Sequence, residues 1–405
     1  MNNNNLKHTI MMKTEQKLNV EMVDRIKGCL MAGAAGDALG YAVEFKREHT
    51  IFEEYGESGI TKFDLEGEKA EISDDTQMTL FTANGLLVGN TQRCEKDGSI
   101  KPEKFVSGAY VDWFYTQAKN HFKFGEACTW LRELEEMQYH RAPGSTCMTA
   151  CRTILLGRDV VNDRKGCGGI MRVAPIALFA AAYAAKGEQL YTIEELAEAA
   201  GYTSDITHKH PLGFLPSALL AVLIYKIAFL SKEEAKANIE TLITETLDIL
   251  DNIYKGKYEE EKIYLRTLSE KAICLAKSDI SDIEALRSIG EGWVAEETWA
   301  VAVYCVIKHI NSVEDAIIAS VNHNGDSDST GSVTGNIMGA IYGYEHIKGR
   351  NIFCPEGYEL ENTLELSDII LTLAEDLATG YASIDTPEGK QWHERYCEMK
   401  PSGIR

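Results

Sequence analysis

The chain of 405 residues has little proline, no Cys-x-x-Cys pair and far fewer basic than acidic residues. Its 8 prolines leave room for many helices, since proline breaks helix interiors. Its 10 cysteines are scattered, mostly in apolar surroundings, which indicates reduced thiols in a cytoplasmic protein and argues against a disulfide framework or a zinc motif. With 41 basic against 62 acidic residues the net charge is −21, which disfavours a nucleic acid or a membrane as a partner.

Long apolar segments are also scarce. The strongest one, from Gly213 to Leu230, contains Pro216 and Lys226 and barely reaches the length that spans a bilayer, so it predicts a buried helix. The Asn-rich N-terminus has no apolar signal-peptide core after Lys7. Residues 1–20 are therefore predicted to be a flexible polar extension.

The dominant pattern is helical, because apolar residues recur three or four apart among abundant Ala, Leu, Glu and Lys. It predicts an all-α fold, in which residues 21–405 form a single domain with a helical elaboration around 231–290 and a surface loop at 90–101. The predicted helices cover about 21–40, 75–89, 102–119, 124–138, 145–157, 173–186, 193–200, 211–229, 232–253, 260–277, 282–288, 295–309, 312–322, 330–346 and 364–378.

Two acidic clusters that also contain hydroxyl groups stand out. The first, Ser73-Asp74-Asp75-Thr76, precedes a predicted helix, and one interpretation is an ordinary helix start with Ser73 as the N-cap. The second runs from Asp326 to Thr330. An EF-hand loop beginning at Asp326 would need a glutamate at its twelfth position, where this chain has Ile337. A different oxygen-ligand site is therefore indicated, completed from elsewhere in the chain.

Taken together, the clusters offer four carboxylates and several hydroxyls at two predicted helix starts. Hard divalent cations such as Mg²⁺ or Mn²⁺ prefer oxygen ligands of this kind. Two such ions close together hold substrate hydroxyls and lower the pKa of a bridging water.

Two glycine-rich segments allow more than one interpretation. Gly28, Gly33, Gly36 and Gly40 indicate either close helix packing or space for a ligand, with Asp37 and Glu44 near it. The turn from Gly166 to Gly169 precedes a predicted helix, and its N–H groups suit a phosphate. Arg172, after this turn, is either a phosphate ligand or part of a structural ion pair.

Three histidines are candidate site residues. His208 and His210 have the spacing of half a zinc site, but the sequence supplies no evident further ligands, which favours a single histidine that lines a pocket. His323, beside the second acidic cluster, is a candidate outer partner of a ligand.

In their order along the chain, these segments resemble the ADP-ribosylglycohydrolase family. The resemblance covers about residues 23–346 and rests on Gly28 to Leu30, Gly36 to Gly40, Ser73 to Thr76, Gly166 to Arg172, Thr207-His208 and Gly325 to Thr330. It implies a single large multi-helix orthogonal bundle around a dinuclear Mg²⁺ or Mn²⁺ site, in a cleft that binds ADP-ribose.

The resemblance also implies residue roles. The implied metal ligands are Ser73, Asp74, Asp75, Asp326, Asp328 and Ser329. Asp75, Asp328 and Glu44 are the implied catalytic residues. The implied ADP-ribose contacts are Gly166, Cys167, Gly168, Gly169, Met171, His208, Gly144 and Ser145. Cys167 departs from the asparagine that many members have there, whereas Ser73 and Ser329 keep the hydroxyl of the more frequent threonine.

The expected activity is hydrolysis of the N- or O-glycosidic bond between ADP-ribose and a protein side chain. Arginine is the favoured side chain, as members of this type commonly use it. The ions would hold the 2″- and 3″-hydroxyls while a water, oriented by an aspartate or Glu44, attacks C1″. Two alternatives remain: a hydrolase of a small ADP-ribose conjugate, or an immunity-type protein whose N-terminal region blocks an ADP-ribosylating toxin.

Overall fold

A computed structural model describes residues 3–118 and 127–397, with side chains from residue 20 onward in the first range. These residues form helices joined by loops and 3-10 turns, with isolated β-bridges and no β-sheet among them. The α-helices are α1 (Asn3–Tyr41), α2 (Glu48–Tyr55), α3 (Asp74–Glu95), α4 (Val106–Gln117), α5 (Ser145–Leu155), α6 (Ala174–Ala185), α7 (Ile193–Asp205), α8 (Pro211–Ala228), α9 (Lys232–Ile253), α10 (Glu259–Ala276), α11 (Asp282–Ile289), α12 (Ala295–Lys308), α13 (Val313–Val321), α14 (Ser327–Tyr342), α15 (Tyr344–Arg350), α16 (Leu360–Thr363), α17 (Ser367–Thr379) and α18 (Pro387–Tyr396).

The all-α prediction is confirmed, and several boundaries are corrected. The predicted helix at 124–138 is wrong in its described part, which contains only short 3-10 turns at Trp130–Glu133 and Glu136–Gln138. The carboxylate of Asp112 accepts the backbone N–H groups of Cys128 and Thr129 at 2.6 and 2.7 Å, so this chain segment folds around a buried acid.

Other corrections concern helix ends. Helix α3 continues to Glu95, which shortens the predicted 90–101 loop, and Gly343, with φ 79°, separates α14 from α15 within the predicted helix at 330–346. The sequence pattern gave no helix for α2 or α18. Helix α1 begins at Asn3, well before the predicted residue 21. Most of the predicted extension lies outside the residues whose side chains are described, so its flexibility stays a prediction.

The closest helix pair is α1 with α14. A Cβ atom at Gly36 would collide with the carbonyl oxygen of Gly331, and one at Gly335 or Gly339 would collide with the carbonyl of Ala32 or Gly28. Both helices therefore use glycine so that their backbones touch. The packing interpretation of the glycine-rich segment is confirmed, and the contact brings the C-terminal end of α1 to the N-terminal end of α14.

The most apolar helices lie inside the fold. The windows Cys167–Ala185 and Pro211–Ala228 are apolar and long enough to cross a membrane, but 89% and 83% of them is buried. The predicted buried helix at the second window is confirmed. Buried side chains from α1 to α18 belong to one continuous hydrophobic cluster, and this core fixes the helix ends that form the site.

Candidate active site

A carboxylate from α1 caps the N-terminus of α3. Asp37 is fully buried and accepts the backbone N–H of Ser73 at 2.9 Å and that of Thr76 at 3.0 Å. The Ser73 hydroxyl accepts the N–H of Asp75 at 3.2 Å, so the predicted N-cap is confirmed. Because these groups satisfy the free N–H groups of the first turn, Asp74 and Asp75 are not needed as caps and turn toward a cavity.

Asp74 and Asp75 are both buried, which an ordinary solvated helix start does not require. The backbone N–H of Gly144 donates to Asp74 Oδ2 at 3.0 Å, and the N–H of Asp74 donates to the carbonyl of Arg141. Asp75 Oδ2 is buried without a hydrogen-bond partner. An unpaired buried carboxylate oxygen is costly, so this atom is available to an incoming group.

The second acidic cluster lies at the start of α14. Asp326 occupies the N-cap position but its side chain makes no cap hydrogen bond; instead, Cys167 Sγ donates to its Oδ2 at 2.6 Å. Gly40 packs against the backbone of Ser327, and the turn after α1 then brings Glu44 over this helix start. One carboxylate oxygen from each of Glu44, Asp326 and Asp328 lies within 4.8 Å of the other two.

Burial and mutual repulsion perturb these acids. Burial raises the pKa of Glu44 to about 11, with further increases from Asp328 and Asp326. Burial also raises the pKa of Asp37 to about 7, assisted by Asp328. The pKa values of Asp74, Asp75 and Asp326 lie well above their usual range, first because of burial. Several buried acids with raised pKa values in one place are typical of a functional site.

The glycine turn forms a facing wall. It leads into a 3-10 helix, Cys167–Arg172, and the N–H of Cys167 bonds to the carbonyl of Trp293. A Cβ at Gly168 would come within 2.9 Å of His208 Cε1, so glycine lets the turn lie against this ring. Burial, together with Arg172, lowers the pKa of His208 to about 3, which keeps the imidazole neutral.

A loop before α5 closes the third side. Ala142 has φ 47°, a left-handed conformation that is costly for a residue with a Cβ and is often found at functional sites. This conformation turns the chain so that the N–H of Gly144 reaches Asp74.

The three walls enclose a cavity of ≈ 530 Å³, a volume ordinary for small-molecule sites. Its lining includes most of the predicted site residues, namely Glu44, Asp74, Asp75, Gly144, Ser145, Gly166, Cys167, Gly168, Met171, His208, Asp326, Asp328 and Ser329.

Two predicted site residues lie behind this surface. Ser73 is fully buried beneath the acids, and Gly169 packs against Ser204 and the carbonyl of Gly213, so neither lines the cavity. Close packing leaves no room for a side chain at Gly169. The predicted contact of Gly169 with ADP-ribose stays a prediction.

Other candidates have structural surroundings. Arg172 is fully buried, bonds to Thr207 Oγ1 at 2.6 Å and lies over the Tyr110 ring, so it is neither a phosphate ligand nor an ion-pair partner among the described residues. His210 caps α8 with its Nδ1 and does not join His208 in a zinc site. His323 Nε2 lies 3.0 Å from Thr330 Oγ1, behind Asp326.

Several residues that line the cavity were not predicted from the sequence, among them Phe45, His140, Cys147 and Trp293. Phe45 and Trp293 are 73% and 41% exposed, so two aromatic side chains stand at the cavity's surface beside the acids. The local sequence offered two indications of these aromatic residues: Phe45 follows Glu44, and glycines precede Trp293.

The chain is similar to known proteins over most of its length. The family model of ADP-ribosylglycohydrolase matches residues 18–385. ADP-ribosylhydrolase ARH3 of Bos taurus is 26% identical over 375 residues, covering 85% of this chain and 92% of that protein.

A bacterial relative and a solved structure extend the comparison. ADP-ribosyl-[dinitrogen reductase] glycohydrolase of Rhodospirillum rubrum is 23% identical over 80% of this chain and 87% of its own length. A solved structure described as an ADP-ribosylglycohydrolase-related protein complex shares the fold with a TM-score of 0.57 at 20% identity, covering 89% of this chain and 99% of that one. The chain belongs to the ADP-ribosylglycohydrolase family.

Proposed function

We propose that this enzyme releases ADP-ribose from modified protein side chains with the help of two divalent cations, Mg²⁺ or Mn²⁺. The observation that supports this most directly is the convergence of Glu44, Asp326 and Asp328 opposite Asp74 and Asp75 in one cavity. The names of the relatives from Bos taurus and Rhodospirillum rubrum describe hydrolysis of ADP-ribose conjugates, the latter on a protein.

The donor set fits hard divalent cations. Carboxylate oxygens predominate around the cavity, and Glu44 Oε2 and Asp75 Oδ2 are buried acceptors without a hydrogen-bond partner. Cations would satisfy Asp75 Oδ2 and offset the burial and repulsion that raise the pKa values of these acids. Asp74, Asp75, Asp326, Asp328 and Ser329 are the proposed ligands, with Ser73 supporting them from below.

The reaction requires a water to attack C1″ of the distal ribose and the side chain to leave. When bound, the ions would supply Lewis-acid charge to the ribose hydroxyls and lower the pKa of a water. Glu44 Oε2 is an unpaired acceptor beside this region. With its pKa lowered by bound cations, Glu44 would hold the attacking water, accept its proton and pass it to the departing side chain. The surrounding carboxylates also favour the positive charge that develops at C1″.

The opposite wall suits the nucleotide. Gly166 and Gly168 of the turn line the cavity, and the neutral His208 ring lies beside them. His208 Nδ1 is 2.9 Å from Thr207 Oγ1, so that contact orients the ring and leaves Nε2 toward the turn. A neutral imidazole offers a hydrogen bond without adding charge to the site.

Arginine is the proposed linkage. A guanidinium group is planar and cationic, and it stacks on aromatic rings while pairing with carboxylates. Phe45 and Trp293 are exposed next to Glu44 and the acidic clusters, which is the combination such a group needs. The exposed aromatic rings are the reason for preferring arginine to serine.

The test uses Asp328→Asn with Asp368→Asn as a matched control, since Asp368 is an exposed aspartate in the first turn of α17. Both proteins are incubated with arginine-, serine- and acid-linked ADP-ribosyl substrates, with Mg²⁺ or with EDTA. We expect D328N to lose hydrolysis by at least about 100-fold, the scale of removing one key electrostatic group, while D368N keeps it. Full activity in D328N, or in EDTA, contradicts the proposed site.

The two alternatives make different predictions in the same assay. A small-conjugate hydrolase would cleave free ADP-ribose derivatives and leave modified proteins intact. A toxin-neutralising protein would depend on the N-terminal region, whose side chains are described only from Val20 onward. Deletion of residues 1–19 should leave turnover unchanged in the proposed enzyme.

A further inference from the structure

A second set of metal-binding side chains lies at the other end of α3. Glu95 is the last residue of that helix, and His393 and Cys397 lie four residues apart at the end of α18. One donor atom from each lies within 4.8 Å of the other two. The separation along α3 from Asp75 to Glu95 is about 30 Å at 1.5 Å per residue, so this cluster is distinct from the acidic cavity.

The cluster is held by a rigid interface between α18 and α3. Trp392 is 1% exposed, and its Nε1 donates to Thr91 Oγ1 at 2.9 Å. Tyr396 is fully buried and donates to Asp376 at 2.6 Å. Because these aromatic anchors flank His393 and precede Cys397, the ligand atoms are positioned by packing before any ion binds.

The distances suit tetrahedral zinc. Glu95 Oε1 lies 2.9 Å from His393 Nε2 and 3.7 Å from Cys397 Sγ. Bond lengths of ~2.1 Å to nitrogen or oxygen and ~2.3 Å to sulfur place such atoms roughly 3.4 and 3.6 Å apart at a tetrahedral angle. The first contact is about half an ångström shorter than this spacing and the second matches it, while His393 Nε2 and Cys397 Sγ lie within 4.8 Å of each other.

The ordinary alternative is a surface ion pair between Glu95 and His393. His393 Nε2 is a buried atom and faces Glu95 without the geometry of a hydrogen bond, which is a poor arrangement for such a pair. A thiol in the same cluster adds nothing to an ion pair, whereas thiolate, imidazole and carboxylate are each groups that bind zinc. Tyr381 OH, 3.5 Å from Glu95 Oε1, is placed to orient the carboxylate from outside.

We propose that Glu95, His393 and Cys397 bind a zinc ion that fastens α18 to α3, with water or another donor in the fourth position. Binding displaces the proton of the Cys397 thiol to solvent, so affinity rises with pH. Since the ion binds only when α18 is docked, it stabilises the folded chain. The role is structural and leaves hydrolysis unchanged.

The probe is Co²⁺, because a cobalt–thiolate bond gives a charge-transfer absorption in the near ultraviolet that oxygen ligands do not. The full chain, without an affinity tag and in a non-thiol reductant, is titrated with Co²⁺ in excess Mg²⁺ and then with Zn²⁺. We expect the absorption to saturate at one equivalent and to disappear as Zn²⁺ displaces the cobalt. Thermal unfolding should shift upward with Zn²⁺.

Three variants assign the ligands. Cys397→Ser should lose the absorption and the Zn²⁺-dependent shift, whereas Cys167→Ser in the cavity and Cys274→Ser on an exposed face of α10 should keep both. His393→Gln should weaken Co²⁺ binding by more than the ~10–100-fold typical of losing only an outer partner.

The outcomes separate cleanly. An absorption that Cys397→Ser retains, or that only Cys167→Ser loses, overturns the proposal, as does its absence from the unmodified chain. If Cys397→Ser does not fold, unchanged Co²⁺ affinity in His393→Gln overturns it and the predicted loss supports it.

Discussion

Asp328→Asn should stabilise the metal-free protein while it abolishes the reaction. Oxygens of Asp326 and Asp328 lie within 4.8 Å of each other, and at that distance two unit charges repel by about 3.5 kcal/mol at an effective dielectric constant of 20. Glu44 contributes little of this repulsion near neutrality, because burial raises its pKa to about 11. Burial also raises the pKa of Asp326, which lessens the repulsion between its carboxylate and that of Asp328. The expected gain is therefore about 1–3 kcal/mol.

The assay is urea unfolding of the wild type and of D328N, first in EDTA and then with saturating Mg²⁺. In EDTA the variant should be the more stable protein. Ligand at 100 times its dissociation constant stabilises a folded protein by about 2.7 kcal/mol, so the wild type should gain on that scale and the variant much less. Asp368→Asn should behave as the wild type in both buffers. A variant that is less stable in EDTA, or that gains as much from Mg²⁺ as the wild type, would refute the repulsion argument.

Three further predictions concern packing and protonation. Gly335→Ala should cost about 1–3 kcal/mol by overpacking, because its Cβ would collide with the Ala32 carbonyl; Gly349→Ala, in open space in α15, should be neutral or stabilising by urea unfolding. His208 should show no NMR titration between pH 5 and 8, since its pKa is lowered to about 3; an inflection in that range contradicts its placement. In EDTA the free energy of unfolding should fall as pH rises from about 4 to 7, because the pKa of Asp37 is raised to about 7 in the folded protein. Asp37 therefore binds a proton more tightly when folded, and this contribution is lost as the pH passes that value. A flat pH profile contradicts this prediction.

Much of the site was predictable because its residues are contiguous. Asp74 with Asp75, and Asp326 with Asp328, stand at helix starts that periodicity alone locates, and the failure of the calcium loop at Ile337 pointed to ligands from elsewhere. The metal roles followed only from the family resemblance and stay predictions. The helix packing also had a signal in the sequence, since α1 and α14 each contain glycines four residues apart: Gly36 and Gly40 in α1, and Gly331, Gly335 and Gly339 in α14.

The remaining features depend on tertiary contacts. Asp37 caps a helix whose first residue lies 37 positions further along the chain, and no local pattern indicates this. Phe45 and Trp293 are exposed because of where the loops around the cavity meet. Nothing in the two residue types indicates that exposure. The helix predicted at 124–138 fails because the Asp112 carboxylate holds the backbone N–H groups there, a contact that competes with helix formation.

The glycine contact and the acidic cavity depend on each other. Carboxylates that repel one another would separate if the helix ends were free to move, yet Gly40 touches the backbone of Ser327 and Gly36 touches Gly331. This contact keeps Glu44 and Asp328 close enough to share an ion even when no cation is bound. Side-chain packing elsewhere in α1 and α14 offsets the repulsion between the carboxylates. Disturbing the contact should therefore lower cation affinity, since cations need both helix ends in register. Activity is titrated with Mg²⁺ in Gly36→Ala, which displaces the ligands, and in Asp328→Asn, which removes one. A raised Mg²⁺ concentration should restore activity to Gly36→Ala and not to Asp328→Asn.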